Sequence, residues 1–345
     1  MKTDKELILV TGGLGYIGSH TSVLLLEKGY EVLIVDDLSN SSQEVVEAIA
    51  KITGRTPLFE IVDLKNQARV VQLFDDYPNI KGILHFAASK AVGESVQQPV
   101  EYYQNNINSL LNVVGAIKTK TNLVFSSSCT VYGQAEQLPI AEDCLTKRPE
   151  SPYGNTKKIG EELLEDATKV YPNLNVMSLR YFNPVGAHPT ALIGENPKDI
   201  PQNLVPYITQ SALGKIAPLT VYGNDYPTPD GTCIRDYIHV MDLANAHILA
   251  LEYLEQTKPT SLLEIVNLGT GTGHTVMEVI ESFRRVSNQD FQYRVGPKRE
   301  GDITAAYASI EKAKTLLQWE PQYTLDDALA SAWKWEQKNH ADNKE

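Results

Sequence analysis

The stretch LILVTGGLGYIGSH, residues 7–20, decides the fold of this chain. A short apolar run leads into a cluster of glycines and then into an apolar stretch that continues to Leu26, which predicts a strand, a tight turn and a helix. The free backbone N–H groups of such a turn, together with the helix N-terminus, can hold a pyrophosphate. The glycine spacing can be read from Gly12 or from Gly13, in both cases followed by Gly15 and Gly18, and either reading lets a ligand approach the backbone closely.

A second apolar run, EVLIV at 31–35, ends in Asp36 and Asp37, 18 residues after Gly18. A carboxylate at this strand end accepts hydrogen bonds from the two hydroxyls of an adenosine ribose and repels a 2′-phosphate. The predicted cofactor is therefore NAD and not NADP. We favour Asp36 as the ribose ligand, with Asp37 as a cap or a neighbour.

Strands and helices continue to alternate after this point. Strands are predicted near 58–62, 82–86 and 123–125, and helices near 67–74 and 100–117. This alternation is typical of a doubly wound parallel sheet, whose ligands bind at the carboxyl ends of the strands. The candidates that fall at those ends are Asp63, Leu64, Phe86, Ala87, Ala88, Ser89, Lys90, Asn105, Ser126, Ser127 and Ser128. For Asn105, a position that only packs on its helix remains an alternative.

A tyrosine and a lysine, Tyr153 and Lys157, lie four residues apart at the start of a predicted amphipathic helix, 25 residues after the run Ser126–Ser128. Four residues place both side chains on one helix face, where an ammonium favours a neighbouring phenolate. The assistance is needed because the ordinary pKa of tyrosine, about 10, must fall by roughly 3 units for the phenolate to work as a base near neutral pH. This pairing predicts a tyrosine base.

The same spacing occurs between Tyr77 and Lys81, with Pro78 and Gly82 beside them and an apolar run after them. This context predicts a loop that leads into a strand. We therefore do not expect a catalytic pair at Tyr77.

Composition limits the functions that the chain can have. Its 345 residues exceed what one core usually organises, which predicts two domains. A formal net charge of −12 argues against binding to nucleic acid or to an anionic membrane. The three cysteines lack CxxC spacing and the seven histidines lack HxH or HExxH spacing, so we expect a reduced cytoplasmic protein without a metal site. No apolar run approaches the roughly 20 residues of a membrane helix, and no leader is expected before the first strand.

Several further motifs accompany the glycine stretch: FSSSCTVYG at 125–133, SPYGNTK at 151–157, RYFNPVGAHP at 180–189, GNDYPTPDGT at 223–232, RDYIHVMDL at 235–243 and REGD at 299–302. Together they cover nearly the whole chain. In this combination the sequence resembles the UDP-glucose 4-epimerase family of extended short-chain dehydrogenases/reductases.

This resemblance implies a redox-neutral reaction at C4 of a UDP-sugar. In the family pattern Ser128 hydrogen-bonds the sugar O4, Tyr153 removes its proton with the help of Lys157, and C4 passes a hydride to a tightly held NAD. The 4-keto sugar then turns over and recovers the hydride on its other face, so that UDP-glucose and UDP-galactose interconvert.

The resemblance also assigns binding residues. The expected NAD contacts are Gly12, Gly15, Tyr16, Ile17, Gly18, Asp36, Asp37, Asn40, Asp63, Leu64, Phe86, Ala87, Ala88, Lys90, Asn105, Ser126, Tyr153, Lys157 and Tyr181. The expected UDP-sugar contacts are Lys90, Ser128, Tyr153, Phe182, Asn183, Asn203, Leu204, Tyr222, Arg235, Arg299, Asp302 and Ala306. Arg235 and Arg299 suit a diphosphate, although each alone is more often part of a surface ion pair. At Ala306, where relatives carry a bulky tyrosine or a small residue, alanine leaves space for an N-acetyl group, so we also expect interconversion of UDP-GlcNAc and UDP-GalNAc.

The predicted fold is an α/β Rossmann-type doubly wound sheet, residues 1–181, with a smaller C-terminal α/β substrate domain, residues 182–345. The segment near 235–258 is expected to pack back onto the first domain. The resemblance implies a homodimer formed through the helix at 100–117 and the helix after Tyr153. A second glycine-rich stretch, LGTGTG at 268–273, is interpreted as a turn before a helix and not as a nucleotide loop.

Two other functions compete with this assignment. Nucleotide-sugar 4,6-dehydratases share the fold but carry Asp-Glu before Val-Tyr-Gly, where this chain has Cys129 and Thr130. Cys129 itself has no expected histidine partner, so a packed small residue is favoured over a nucleophile. A binding protein that senses NAD without catalysis would not need Ser128, Tyr153 and Lys157, and all three are present.

Overall fold

The apolar runs of the first half of the chain form the centre of a parallel sheet in a computed structural model, which describes residues 6–256, 262–299 and 302–342. In chain order the first elements are β1 (Leu7–Thr11), α1 (Tyr16–Glu27), β2 (Glu31–Asp36), α2 (Glu44–Thr53), β3 (Leu58–Ile61), α3 (Gln67–Asp76), β4 (Ile80–His85), α4 (Val92–Gln97), α5 (Pro99–Ala116), β5 (Thr121–Ser128), the 3-10 helix Cys129–Tyr132, α6 (Pro152–Val170) and β6 (Leu174–Tyr181).

The remaining elements are helices and strands, and most of these strands are short. They are β7 (Asn183–Val185), α7 (Leu204–Ala212), β8 (Leu219–Tyr222), β9 (Ile234–Arg235), β10 (Tyr237–His239), α8 (Val240–Gln256), β11 (Leu262–Leu268), β12 (His274–Thr275), α9 (Val276–Ser287), β13 (Tyr293–Gly296), β14 (Ala305–Ala306), α10 (Glu311–Leu317) and α11 (Leu325–Asp342).

The main sheet has seven strands in the order β11-β6-β5-β4-β1-β2-β3. The neighbours from β3 to β5 in this order run parallel. The chain builds outward from β1 in one direction and then returns through β4 to build in the other, so the strand order reverses between β1 and β4. The predicted doubly wound sheet is therefore confirmed, and its switch point, where such sheets bind ligands, lies at the carboxyl ends of β1 and β4.

Burial explains why these strands read as continuous apolar runs. Every residue of β1, β5 and β6 is buried, as expected for a sheet covered by helices on both faces. The core of this sheet is built from aliphatic side chains such as Leu9, Leu33 and Leu123, and it includes Leu110 of α5 and Leu164 of α6.

The chain divides into two compact units. The first consists of residues 1–132, 146–180 and 244–266, and the second of residues 133–145, 181–243 and 267–345. In the second unit, α9 and α11 pack together and enclose a core that includes Phe283, Leu329 and Trp333. The placement of 133–145 in this unit was not foreseen from the sequence, and the domain limits given above stay a prediction.

The predicted strands and helices up to β5 are confirmed, with ends that move by up to three residues. The structure also confirms that Tyr77 and Lys81 do not share a helix, because Tyr77 caps the end of α3 while Lys81 lies within β4. Among the helices of the described ranges, none has the length and apolar character needed to cross a membrane.

Replacement of two helical glycines by alanine is expected to change the stability of the protein in opposite directions. A Cβ on Gly160 of α6 would lie 2.7 Å from the Phe125 ring of β5, whereas a Cβ on Gly115 of α5 would have no heavy atom within 4 Å. Gly160→Ala should lower the free energy of unfolding by about 1–3 kcal/mol through overpacking. Gly115→Ala should raise it by about 0.4–1 kcal/mol because alanine restricts the unfolded chain. Urea unfolding of both variants checks this, and a neutral Gly160→Ala would contradict the close packing of α6 on β5.

Candidate functional site

The glycine turn between β1 and α1 is shaped by contacts that only glycine permits. Gly12 has a φ of 66°, and a Cβ on it would lie 2.8 Å from the backbone nitrogen of Ala87. A Cβ on Gly18 would lie 2.4 Å from the carbonyl oxygen of Gly12. Gly15 is the N-cap of α1, and no side chain caps this helix end. The turn therefore presents a bare helix N-terminus, which fits a pyrophosphate.

The two aspartates after β2 lie in different environments. The Asp36 carboxylate is buried and accepts hydrogen bonds from Leu14 N at 3.1 Å, Leu38 N at 3.0 Å and Ser41 Oγ at 2.6 Å. Asp37 is exposed and accepts bonds from the backbone and the hydroxyl of Ser39. Asp36 thus links the glycine turn to the loop after β2. The preference for Asp36 over Asp37 as a ribose ligand stays a prediction.

The other predicted residues of this sheet edge follow β2, β3 and β4. Asn40 is exposed after β2, and Asp63 is exposed beside buried Leu64 after β3. After β4, Phe86 donates its N–H to Thr11 O at 3.0 Å, and Phe86, Ala87 and Ala88 are half-buried. The Lys90 ammonium lies 5.8 Å from the ring centre of Tyr16, the first residue of α1.

An asparagine pair on α5 holds the loop after β4. Asn105, which was predicted as a cofactor contact, donates to Ser89 Oγ at 3.1 Å. Its neighbour Asn106 is buried, accepts from Ser89 N at 2.8 Å and donates to Thr156 Oγ1 of α6 at 2.9 Å. Sequence reasoning missed Asn106, because its partners Ser89 and Thr156 lie 17 and 50 residues away along the chain.

The candidate catalytic residues meet where β5 ends and α6 begins. Ser151 caps α6 by accepting a hydrogen bond from Gly154 N at 3.1 Å, and Pro152 occupies the first helical position. This cap sets the first turn of α6, which carries Tyr153. The Tyr153 phenol forms a hydrogen bond with the Ser128 hydroxyl. Ser128 is in turn a hydrogen-bond acceptor for Thr130 Oγ1 at 3.0 Å.

Burial raises the pKa of Tyr153 to about 12, against the hydrogen bond with Ser128, which lowers it. Burial also lowers the pKa of Lys157 to about 7, while nearby Glu161 raises it. The Lys157 ammonium donates to Ser126 O at 2.6 Å and lies 5.9 Å from the centre of the Tyr153 ring. The lysine therefore shares the helix face predicted for it but bonds to β5, and its assistance to a phenolate stays a prediction.

Arg235 and Arg299, which were predicted to bind a diphosphate, both lie in the second unit. Each has a partner there. Arg235 forms an ion pair with Asp302 and donates to Ile234 O at 2.8 Å. The Arg299 guanidinium lies 4.0 Å from the centre of the Tyr222 ring. Glu300 and Gly301 of the same motif lie outside the described residues. The partners hold both guanidinium groups in defined positions.

Ala306 lies directly opposite Arg235 in the parallel pairing of β14 with β9. It is 3% exposed. The backbone of residue 306 is therefore paired with that of Arg235, the predicted diphosphate contact. The specificity role of Ala306 stays a prediction.

The remaining predicted residues of this unit surround β7 and α7. Tyr181 and Phe182 are buried, and Asn183 N donates to Asp236 O at 3.0 Å. Asn203 is the N-cap of α7, Leu204 is its first residue, and no side chain caps this helix. The Asn203 amide donates to Glu195 Oε1 at 2.8 Å.

The LGTGTG stretch does form a turn before α9, and its N–H groups are already used. The buried carboxylate of Asp236 accepts hydrogen bonds from Thr270 N at 2.8 Å, Gly271 N at 3.2 Å and Ala308 N at 3.1 Å. An internal carboxyl group therefore occupies the Thr270 and Gly271 N–H groups that a phosphate would need, which supports the interpretation of the stretch as a structural turn. Asp236 lies in the RDYIHVMDL motif, but its partners are too distant in sequence to be foreseen.

Within the described ranges, no cluster of three or more His, Cys, Asp and Glu side chains is arranged to hold a metal ion. The three cysteines are not joined by disulfide bonds. The site chemistry available here is that of a hydroxyl, a phenol, an ammonium and a turn that can hold a dinucleotide.

The switch-point glycine turn and the Ser128, Tyr153 and Lys157 group together define a dinucleotide-binding protein of the extended short-chain dehydrogenase/reductase class. A family model described as GDP-mannose 4,6 dehydratase matches residues 9–332. The UDP-glucose 4-epimerase of Schizosaccharomyces pombe is 47% identical to this chain over 96% of this chain and 94% of its own length. The chain belongs to the UDP-glucose 4-epimerase family.

Solved structures agree with this family. A UDP-glucose-4-epimerase from Stenotrophomonas maltophila, crystallised with NAD and formylated UDP-arabinopyranose, is 43% identical with a TM-score of 0.93 and covers 98% of this chain and 99% of its own. The UDP-Glc/GlcNAc 4-epimerase of Campylobacter jejuni is 36% identical with a TM-score of 0.82, over 96% of this chain and 99% of its own.

Proposed function

We propose that the chain is an NAD-dependent isomerase that interconverts UDP-glucose and UDP-galactose by reversible oxidation at sugar C4 through a 4-keto intermediate. The observation that carries this proposal is the contact of the Ser128 hydroxyl with the Tyr153 phenol, with Lys157 one helical turn further along α6. A hydroxyl and a phenol in contact can hold and deprotonate a sugar alcohol. The family assignment supports the same reaction.

The glycine turn is the place for NAD. Its pyrophosphate suits the uncapped N-terminus of α1 at Gly15, and its adenosine ribose suits the Asp36 carboxylate at the end of β2. NAD supplies reversible hydride acceptance when it is bound. A 2′-phosphate would meet the buried negative charge of Asp36, which favours NAD over NADP.

The proton chemistry belongs to Tyr153 and its neighbours. Ser128 orients the sugar hydroxyl, and Tyr153 accepts its proton and later returns it. Since burial raises the pKa of Tyr153 to about 12, the phenol is protonated at neutral pH and its deprotonation requires positive charge nearby. Lys157 provides that charge in its ammonium form, and burial lowers the pKa of this group to about 7 against the raising effect of Glu161.

The nucleotide part of the UDP-sugar is assigned to the second unit. Arg235 and Arg299 supply guanidinium groups for the diphosphate on a chain whose net charge is −12. The uncapped N-terminus of α7 at Asn203 is a further donor group for an anion. Phe182, Asn183, Tyr222 and Asp302 are assigned to the same substrate.

The two competing functions are weaker. A 4,6-dehydratase needs an additional acid and base for its elimination, and the hydroxyl of Thr130 is instead bound to Ser128. A sensing protein would not require Lys157 buried beside the phenol, and burial of an ammonium is unfavourable for folding even where it is hydrogen-bonded, as Lys157 is to Ser126 O.

We also propose acceptance of UDP-GlcNAc and UDP-GalNAc, because alanine at position 306 offers no ring to crowd a C2 substituent. The description of the Campylobacter jejuni relative supports this breadth for the family.

We propose a cytoplasmic homodimer that forms through α5 and α6, which pack against each other. Val100 and Leu111 of α5 are 60% and 46% exposed, which leaves apolar surface for a second copy. Light scattering should give twice the mass of one chain at micromolar concentration, and a monomer mass would refute the dimer.

Incubation of the purified protein with UDP-galactose, followed by separation of the sugars, tests the proposed reaction. The wild type should produce UDP-glucose and should release NAD(H) near stoichiometrically on denaturation. Tyr153→Phe should lower kcat by at least about 100-fold, since general acid–base catalysis contributes about 10²–10⁴-fold. Tyr77→Phe is the matched control and should keep full activity. Retained activity in Tyr153→Phe would move the base elsewhere.

The substrate range is tested at Ala306. Ala306→Tyr should depress turnover of UDP-GalNAc far more than turnover of UDP-galactose, because direct overlap with an N-acetyl group excludes it more strongly than the roughly 1–3 kcal/mol of a lost methylene. Rates on both substrates give the ratio. An equal loss of both activities, or a wild type without UDP-GalNAc turnover, would show that Ala306 is not the gate.

A further inference from the structure

Three consecutive serines at the end of β5 bind three residues spaced one turn apart on α6. Ser128 is hydrogen-bonded to Tyr153, and the Ser126 carbonyl accepts the Lys157 ammonium at 2.6 Å. Ser127 Oγ donates to Glu161 Oε1 at 2.6 Å. The first two contacts involve the proposed catalytic groups, whereas the third has no assigned part in the reaction.

The third contact is fully enclosed. Ser127 is 0% exposed and Glu161 is 6% exposed. Glu161 also accepts Arg180 Nε at 2.9 Å through Oε1 and Arg180 Nη2 at 2.6 Å through Oε2, so the carboxylate is held in a bidentate ion pair. The Arg180 guanidinium lies 4.8 Å from the centre of the Tyr132 ring. Such an ion pair is rigid because either charge left alone in this place would be very unfavourable.

A second serine reaches the same carboxylate oxygen from the next strand. Ser178 Oγ of β6 donates to Glu161 Oε1 at 3.0 Å, and Ser178 is as buried as Ser127. Ser178 lies outside the run Ser126–Ser128. Ser127 therefore connects Glu161 to the catalytic end of β5, whereas Ser178 connects it to β6.

We propose that Ser127 and Glu161 are positioning residues, which fix β5 against α6 so that Ser128 and Lys157 stay aligned with Tyr153 during the reaction. The proposal rests on the catalytic roles given under the proposed function. A strand end held on both sides of Ser127 cannot shift along α6 without breaking a buried charge-assisted hydrogen bond. Misplacement of a reacting group by about 1 Å can lower a rate about 100-fold, so this restraint has a measurable consequence.

The matched pair Ser127→Ala and Ser178→Ala tests the positioning role. Each variant removes one buried hydroxyl from the same carboxylate oxygen, so their losses of stability should be similar. Ser127→Ala should lower kcat on UDP-galactose about 10-fold or more with KM within about 2-fold, whereas Ser178→Ala should keep kcat within about 2-fold. Equal kcat values for the two variants would refute the positioning role. An inactive wild type would instead refute the proposed function.

Discussion

The close packing of α6 on β5 is the interaction on which the site depends. Gly160 brings the helix so near that a Cβ there would overlap the Phe125 ring. This approach is what allows residues of α6 to reach β5 directly: Lys157 bonds to a β5 carbonyl and Glu161 to a β5 hydroxyl. A larger residue at position 160 would separate the two elements and lengthen these bonds together. The site geometry therefore follows from a packing constraint and not from the catalytic side chains alone.

The same packing explains the unusual charges of the site. Lys157 is 3% exposed, and this burial lowers its pKa to about 7. Burial acts in the opposite direction on Tyr153 and raises the pKa of its phenol to about 12. Burial disfavours the ammonium and the phenolate alike, although each favours the other once both form. In the proposed reaction a proton passes between an uncharged sugar hydroxyl and this enclosed pair, so the total charge of the site does not change.

The sequence predicted the parts of the fold that depend on local pattern. The β1 run, the glycine turn and the strand ending in Asp36 were found because each has a periodicity or a spacing that few other structures share. The residues that the sequence did not reveal are those whose partners lie far away along the chain. Asn106 contacts Thr156, and Asp236 contacts Ala308. Such contacts leave no local signal, since a buried asparagine or aspartate looks like any polar residue until the fold brings its partner close.

Buried carboxyl groups organise loops in both units in the same way, by accepting hydrogen bonds from backbone N–H groups. For this reason a structural turn and a ligand-binding turn are difficult to distinguish in the sequence. Asp36 gathers N–H groups from the glycine turn and from the loop after β2, and Asp236 gathers them from the LGTGTG turn and from Ala308. Asp242, buried at the start of α8, accepts the N–H groups of Gln322 and Tyr323. Each carboxyl group accepts hydrogen bonds from N–H groups that would otherwise be unpaired. The two glycine-rich turns differ in which N–H groups are used. Asp36 bonds only at Leu14, before α1 begins, and the helix N-terminus at Gly15 has no side-chain cap, whereas Asp236 binds the Thr270 and Gly271 N–H groups.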